Sequence, residues 1–139
     1  MPNMFLLFSH QLTPQQKEDA QGRWGIKEFI CLPKEYQLLW SQVPADLPHT
    51  DLNSYAQPIL QWVKEEAQVG DIVLIQGDYG MVVVSVLAVC QIGLIPVYAT
   101  TERISKELHL ADGSVHLQKI FQHVQFRMYT CTWLMNDSA

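Results

Sequence analysis

Apolar and polar positions alternate between two periods along this chain. Short, nearly unbroken apolar stretches occur at Met4–Phe8, Glu28–Leu32, Ile72–Ile75 and Leu94–Ala99. Stretches of that length, bounded by turn residues, read as strands buried on both faces, as in a parallel sheet. Between them the pattern turns helical. Thr13 is placed to cap a helix, Pro14 suits its first position, and Gln16 completes a capping box. That helix runs toward Gly22, and its polar middle predicts a surface position. Pro33 opens a helix with Tyr36, Leu39, Trp40 and Val43 at helical spacing. After the proline-rich connection Pro44–Asp51, the next helix buries Ile59, Trp62, Val63 and Ala67, with Pro58 either starting or kinking it. Met81–Ile92 is rich in valine, which favours a strand. Its length and the stop at Gly93 favour a helix. A helix apolar all round packs within a core or at a subunit interface.

The C-terminal part alternates with period two. Ile104, Leu108 and Leu110 alternate with Ser105, Glu107 and His109; Asp112-Gly113 is a hairpin signal; Val115 and Leu117 follow in alternation. These residues predict an exposed two-stranded arm. Val124, Phe126 and Met128 predict one more half-buried strand, and the tail from Asn136 should fray. The order is strand, helix, strand, helices, strand, helix, strand. It gives an α/β, Rossmann-like fold: a parallel-core sheet flanked by helices, with a C-terminal β-hairpin arm. We read one domain over 1–139, with the core at 4–103, the hairpin and last strand at 104–130, and the tail at 136–139.

Composition agrees with a folded domain, since 48% of the 139 residues are hydrophobic and 17% charged. The net charge of −5 argues against binding duplex nucleic acid but not against a small phosphate ligand. Cys31, Cys90 and Cys131 all sit in apolar stretches and read as buried thiols of a reducing compartment. No CxxC or Cys/His cluster suggests a metal, and no cofactor motif is present. Met4–Phe8 is too short for a signal segment and Met81–Ile92 too short to span a bilayer. A soluble, cytoplasmic protein is the expectation.

In open parallel sheets, ligands bind beyond the carboxyl ends of the strands, where strand order reverses. The strand ends here are Ser9-His10, Gln76-Gly77-Asp78-Tyr79-Gly80 and Thr100-Thr101-Glu102-Arg103. The Gly77–Gly80 loop enters a helix N-terminus, whose free N–H groups favour an anion. It is neither a Walker loop nor GxGxxG. The alternative for this loop is a tight turn with Asp78 as helix cap. His10 can serve as a base, a phosphate donor or a plain surface histidine. Ser9 can donate to phosphate or bond to nearby backbone. Arg103 is the only cation at these strand ends and suits a phosphate; its alternative is a surface pair with Glu102 or Glu107. Thr100 and Thr101 can orient a ligand or be ordinary strand-end threonines. His123 and Arg127, four apart on a strand, are predicted to share a face, forming with Tyr129 a second cationic patch or a solvated face. Trp40 and Trp62 read as core; Trp24 and Trp133 have no predicted place.

Taken in order and spacing, several segments resemble a family of stand-alone CRISPR-associated ring nucleases of type III systems. They are Met4–His10, Glu28-Phe29-Ile30, Val73–Gly80, Gly93–Tyr98 with Thr100–Arg103, and Phe121–Tyr129. The resemblance covers nearly the whole chain, although no single segment is a specific motif.

It implies a fold similar to the CRISPR-associated Rossmann (CARF) sensor domains. It further implies a homodimer that binds a cyclic oligoadenylate, cyclic tetra-adenylate by preference, and opens the ring to end an antiviral signal. A ribose 2′-hydroxyl would attack its own 3′-phosphate, giving a linear product with a 2′,3′-cyclic phosphate. The protein would supply mainly position and charge. Under this resemblance Ser9 and the Gln76, Gly77, Tyr79 and Gly80 segment bind phosphate, with Thr100, Thr101, His123 and Arg127 as further ligand contacts. Arg103 stabilises the pentavalent phosphate. His10 is the first candidate for base or acid, and Asp78 the second. Two other readings compete: a sensor or sponge that binds the ring without cutting it, and a structural oligomeric module.

Overall fold

The computed structural model describes residues 1–131. Trp133 and the tail from Asn136 therefore lie outside the described residues. The elements are β1 (Met4–Leu7), α1 (Pro14–Trp24), β2 (Phe29–Cys31), α2 (Lys34–Ser41), a short 3-10 turn (His49–Asp51), α3 (Leu52–Glu66), β3 (Ile72–Ile75), α4 (Tyr79–Gln91), β4 (Ile95–His109) and β5 (Val115–Met128). They form one five-stranded sheet in the order β2-β1-β3-β4-β5. β1 through β4 run parallel, and β5 is antiparallel to β4. The α/β, Rossmann-like architecture is thus present. The order reverses between β1 and β3, which opens a crevice beyond their carboxyl ends.

β1 and β3 are buried on both faces because each lies between neighbours in the sheet and under helices on either side. Phe5, Leu7, Val73 and Ile75 pack with Trp40, Ile59, Val63, Met81 and Val89 of α2, α3 and α4. On the other face Met4, Leu6, Ile72 and Leu74 meet Ala20 of α1, along with Val97 and Phe126. Each large apolar side chain sealed this way contributes roughly 1.5–3 kcal/mol. Trp24, half-buried, completes that second layer against the Phe126 ring.

The helix boundaries follow their caps. Thr13 Oγ1 accepts the Gln16 N–H at 3.2 Å, and Gln16 Oε1 accepts the Thr13 N–H at 2.9 Å. α1 then continues past Gly22 to a left-handed Gly25. Pro58 lies inside α3 rather than at its start. The valine-rich segment is helical as α4, and Gly93 turns the chain out of it with φ 82°. Only one stripe of α4 (Met81, Ser85, Val89 and Cys90) is buried, and Val83 stays 59% exposed.

The C-terminal half corrects the expected boundaries. β4 does not stop at Ala99 but runs to His109, paired with β5 from Val97 onward. The fourth strand and the first strand of the arm are one element, and so are the second strand of the arm and the final strand. No Gly or Pro interrupts Val97–Leu110, and its β-branched and alternating residues suit a long strand. β3 accompanies β4 only as far as Val97. Beyond that point the β4–β5 pair projects as a two-stranded ribbon.

A bulge modifies this ribbon. Thr100 faces Gln125 while Thr101 faces His123, so Val124 is an extra residue. One extra residue reverses which face the following side chains occupy.

The cysteines also need correction. Cys90 and Cys131 are joined by a disulfide, and Cys31 is an exposed free thiol at the end of the edge strand β2. Antiparallel β5 carries Cys131 back to the last turn of α4, a proximity invisible in the sequence. With two cysteines bonded and the third exposed, the cysteines do not mark a reducing compartment. No helix among the described residues is long and apolar enough to cross a membrane.

Candidate functional site

Two of the three strand ends expected from sequence, Ser9-His10 and Gln76–Gly80, lie at the carboxyl ends of β1 and β3, tied together and to β4 through backbone and amide groups. The Gln76 N–H donates to the Leu7 carbonyl at 3.1 Å, joining β3 to β1. The Gln76 side-chain oxygen accepts the Ala99 N–H at 2.7 Å, joining β3 to β4. From the helices, Gln37 Nε2 donates to the Phe8 carbonyl at 2.9 Å and Trp40 Nε1 to the Gln76 carbonyl at 3.0 Å. The Tyr129 hydroxyl donates to the Ile75 carbonyl at 2.6 Å. Burial, with the neighbouring Tyr98 hydroxyl adding to it, pushes the Tyr129 phenol above its ordinary value. These carbonyls at the ends of β1 and β3 are satisfied, so the crevice has a fixed floor.

The glycine loop has its own packing logic. A Cβ on Gly77 would lie 2.9 Å from Trp40 Nε1, and one on Gly80 would lie 2.6 Å from a Leu52 methyl. Helices α2 and α3 thus require small residues here, whatever binds outside. Asp78 Oδ2 accepts the Met81 N–H at 3.1 Å, so its carboxylate caps α4. That occupies one oxygen of the second base candidate. Tyr79 is 92% exposed beside it.

Ser9 and His10 are both exposed, with the His10 ring edge-on to Phe8 at 5.4 Å. They line a cavity of about 380 Å³ together with Gln11, Cys31, Lys34 and Gln37. Lys34, the first residue of α2, was missed by the sequence reading. It lies far from Ser9 along the chain but reaches the same cavity because β2 pairs with β1. The α2 N-terminus has no side-chain cap, so its first N–H groups add to the positive potential there.

Arg103 is not at a strand end. It lies on the ribbon, exposed, with its guanidinium over the Phe121 ring at 5.1 Å. Four residues of strand separate it from Ala99, roughly 13 Å. Thr100 bonds its hydroxyl to the Gln125 carbonyl at 2.8 Å, a ladder contact that accounts for it without a ligand. Thr101 sits opposite His123 on the ribbon.

His123 and Arg127 do not share a face, because the Val124 bulge intervenes. His123 turns toward α1, where its Nε2 meets Asp19 Oδ2 at 2.9 Å and its ring packs on Phe126. Arg127 turns to the other side and donates to the Tyr98 hydroxyl at 3.0 Å. The second cationic patch is therefore not assembled. Burial alone would raise the Asp19 carboxyl; the His123 bond, the Arg23 guanidinium and the Phe126 N–H outweigh it and hold Asp19 below its usual value. A shallow cavity of about 640 Å³ lies over this pair, lined also by Gln15, Glu18 and Gln122. Asp19 was not nominated from sequence, where it is one of several polar residues on a surface helix.

The sequence matches the model of the family described as "Uncharacterized protein MJ1673 family" over residues 2–127. The chain belongs to the MJ1673 family. An uncharacterized MJ1673 protein from Methanocaldococcus jannaschii is 44% identical over 129 residues, which covers 93% of this chain and 98% of that protein. Neither description states an activity for the MJ1673 family. No solved structure matches the chain.

Proposed function

We propose that this MJ1673-family chain is a ring nuclease that binds a cyclic oligoadenylate, cyclic tetra-adenylate by preference, in the crevice at the β1/β3 switch point. The observation that carries the reading is a cavity on the β2 side of β1, adjoining that crevice across the β1 strand end, which brings Ser9, His10 and Lys34 together. An open α/β sheet binds ligands beyond the carboxyl ends of its strands at the switch point, here β1/β3, and the Ser9 and His10 segment borders it. Hydroxyl, imidazole and ammonium groups suit a phosphodiester. The resemblance of the strand-end segments to ring nucleases supplies the substrate class.

In this reading the ligand's 2′-hydroxyl attacks the adjacent phosphorus. The 2′-O–P bond forms, the P–O5′ bond breaks, the 2′ proton passes to a base, and the departing 5′ oxygen takes up a proton. His10 is the proton carrier. Lys34 takes the charge-stabilising role first given to Arg103, and Ser9 with the Gly77–Gly80 backbone positions the phosphate. The protein acts in the cytoplasm as a homodimer, without a cofactor.

The sponge reading has one observation in its favour. Asp78 is engaged as a cap and Arg103 lies out on the ribbon, so two of three nominated catalytic groups do not converge with His10. Binding and cutting are therefore measured separately, with a melting-temperature shift for the first and chromatography of labelled ring for the second. Binding with ring opening that depends on His10 supports the nuclease. Binding with an intact ring supports the sponge.

A further inference from the structure

The β4–β5 ribbon carries a surface that the rest of the chain leaves uncovered. From Thr100 to His109 the outer edge of β4 has no strand beside it among the described residues, since its pairing with β3 ends at Val97 and the Ala99 N–H is taken by Gln76. This free edge spans roughly 30 Å. Two-stranded ribbons are marginal alone, and unpaired edges invite another strand.

The charges along the edge indicate which strand fits. On β4, Glu102, Ile104 and Lys106 lie on one face, because side chains alternate along a strand. Ile104 is half-buried and sits opposite Ile120 of β5. We propose that the free edge of β4 pairs antiparallel with β4 of a second copy of this chain, about a two-fold axis at Ile104. In that register Ile104 meets the partner's Ile104. Glu102 meets the partner's Lys106, and the reverse pair forms by symmetry. On the opposite face Arg103 lies opposite the partner's Ser105 and diagonal to both the partner's Glu107 and the partner's Arg103, so this face is close to neutral and the Glu102–Lys106 face carries the complementarity. An apolar centre flanked by opposite charges makes this segment complementary to itself. The mixed signs of Glu102, Arg103, Lys106 and Glu107 disfavour a nucleic-acid strand. The result is a continuous four-stranded β5-β4-β4-β5 sheet joining the two copies.

The proposal shares with the proposed function only the expectation of a homodimer, and its test uses no nucleotide. Molar mass is measured by light scattering across a dilution series of the full chain. The wild type is expected to be a dimer. Glu102→Lys and Lys106→Glu each oppose like charges twice and should weaken the dimer by roughly tenfold or more. The double swap restores the opposite pairs and should recover wild-type affinity. In a Cys31→Ser background, Ile104→Cys should cross-link the copies under mild oxidation, whereas Gln118→Cys on β5 should not. A monomer at every concentration overturns the proposal. So does a dimer indifferent to both single reversals, or one not recovered by the double swap. Ring cleavage would stand or fall separately, in its own assay.

Discussion

Replacing Asp19 with alanine tests how the ribbon is fastened to the body. The Asp19 carboxylate meets His123 Nε2 at 2.9 Å, accepts the Phe126 N–H at 3.3 Å, and pairs with Arg23 at 3.4 Å. His123 has a side chain only 5% exposed, and its Nδ1 has no hydrogen-bond partner. Without Asp19, neither ring nitrogen would be paired in a buried position, and the Phe126 N–H would lose its side-chain acceptor. A buried polar group left unsatisfied costs about 1–3 kcal/mol, so a loss of about 2 kcal/mol is expected. With an unfolding entropy of about 2.1 cal/mol/K per residue, that lowers the melting temperature by roughly 7 °C. Calorimetry of the wild type, Asp19→Ala, His123→Ala and the double variant forms a cycle. The double variant should lose less than the sum of the singles, by about 1 kcal/mol. A single-variant shift below about 2 °C, or strict additivity, would refute this account of the fastening.

Other expectations follow from the same geometry. The Asp19 carboxyl is held below its usual value, so its ionised form stabilises the fold above the unfolded-state pKa near ~3.9, and that contribution is lost as pH falls through the lower folded value. The stability gap between wild type and Asp19→Asn, followed by urea unfolding, should therefore narrow in acid; a gap that widens contradicts it. Gly77→Ala should cost about 1–3 kcal/mol because its Cβ meets the rigid, buried Trp40 indole, whereas Gly80→Ala meets only a movable Leu52 methyl and should cost less; equal urea midpoints would count against this. The Cys90–Cys131 bond spans 41 residues and should contribute up to about 4 kcal/mol by loop closure. Thiol titration of the native chain should then find one reactive group, Cys31, and Cys131→Ser should lower stability. Lys34→Ala should weaken binding of labelled cyclic tetra-adenylate by at least about tenfold if it holds phosphate.

The parallel core was readable because its signals are local. Met4–Leu7 and Ile72–Ile75 are continuous apolar runs, and Thr13-Pro14 with Gln16 announces α1. The ribbon was less readable. An exposed strand and a strand followed by a polar loop look alike when Thr100–Arg103 carries no Gly or Pro. The bulge at Val124 leaves no mark in the alternation, yet it separates His123 from Arg127. Lys34 and the Cys90–Cys131 bond depend on which strands become neighbours, and neither the β2–β1 pairing nor the return of β5 is a local property. Of the nominated strand ends, Ser9-His10 and Gln76–Gly80 flank the switch-point crevice because strand order places them there. Arg103 departed with the extension of β4.

The central claim is most directly tested by a single-turnover incubation of purified protein with labelled cyclic tetra-adenylate in EDTA, the products resolved by chromatography. The account expects a linear product whose terminal phosphate resists phosphatase, as a 2′,3′-cyclic phosphate does, with the rate sharply reduced in His10→Ala. An intact ring, or an unchanged rate in His10→Ala, would contradict the assignment of this crevice as a nuclease site.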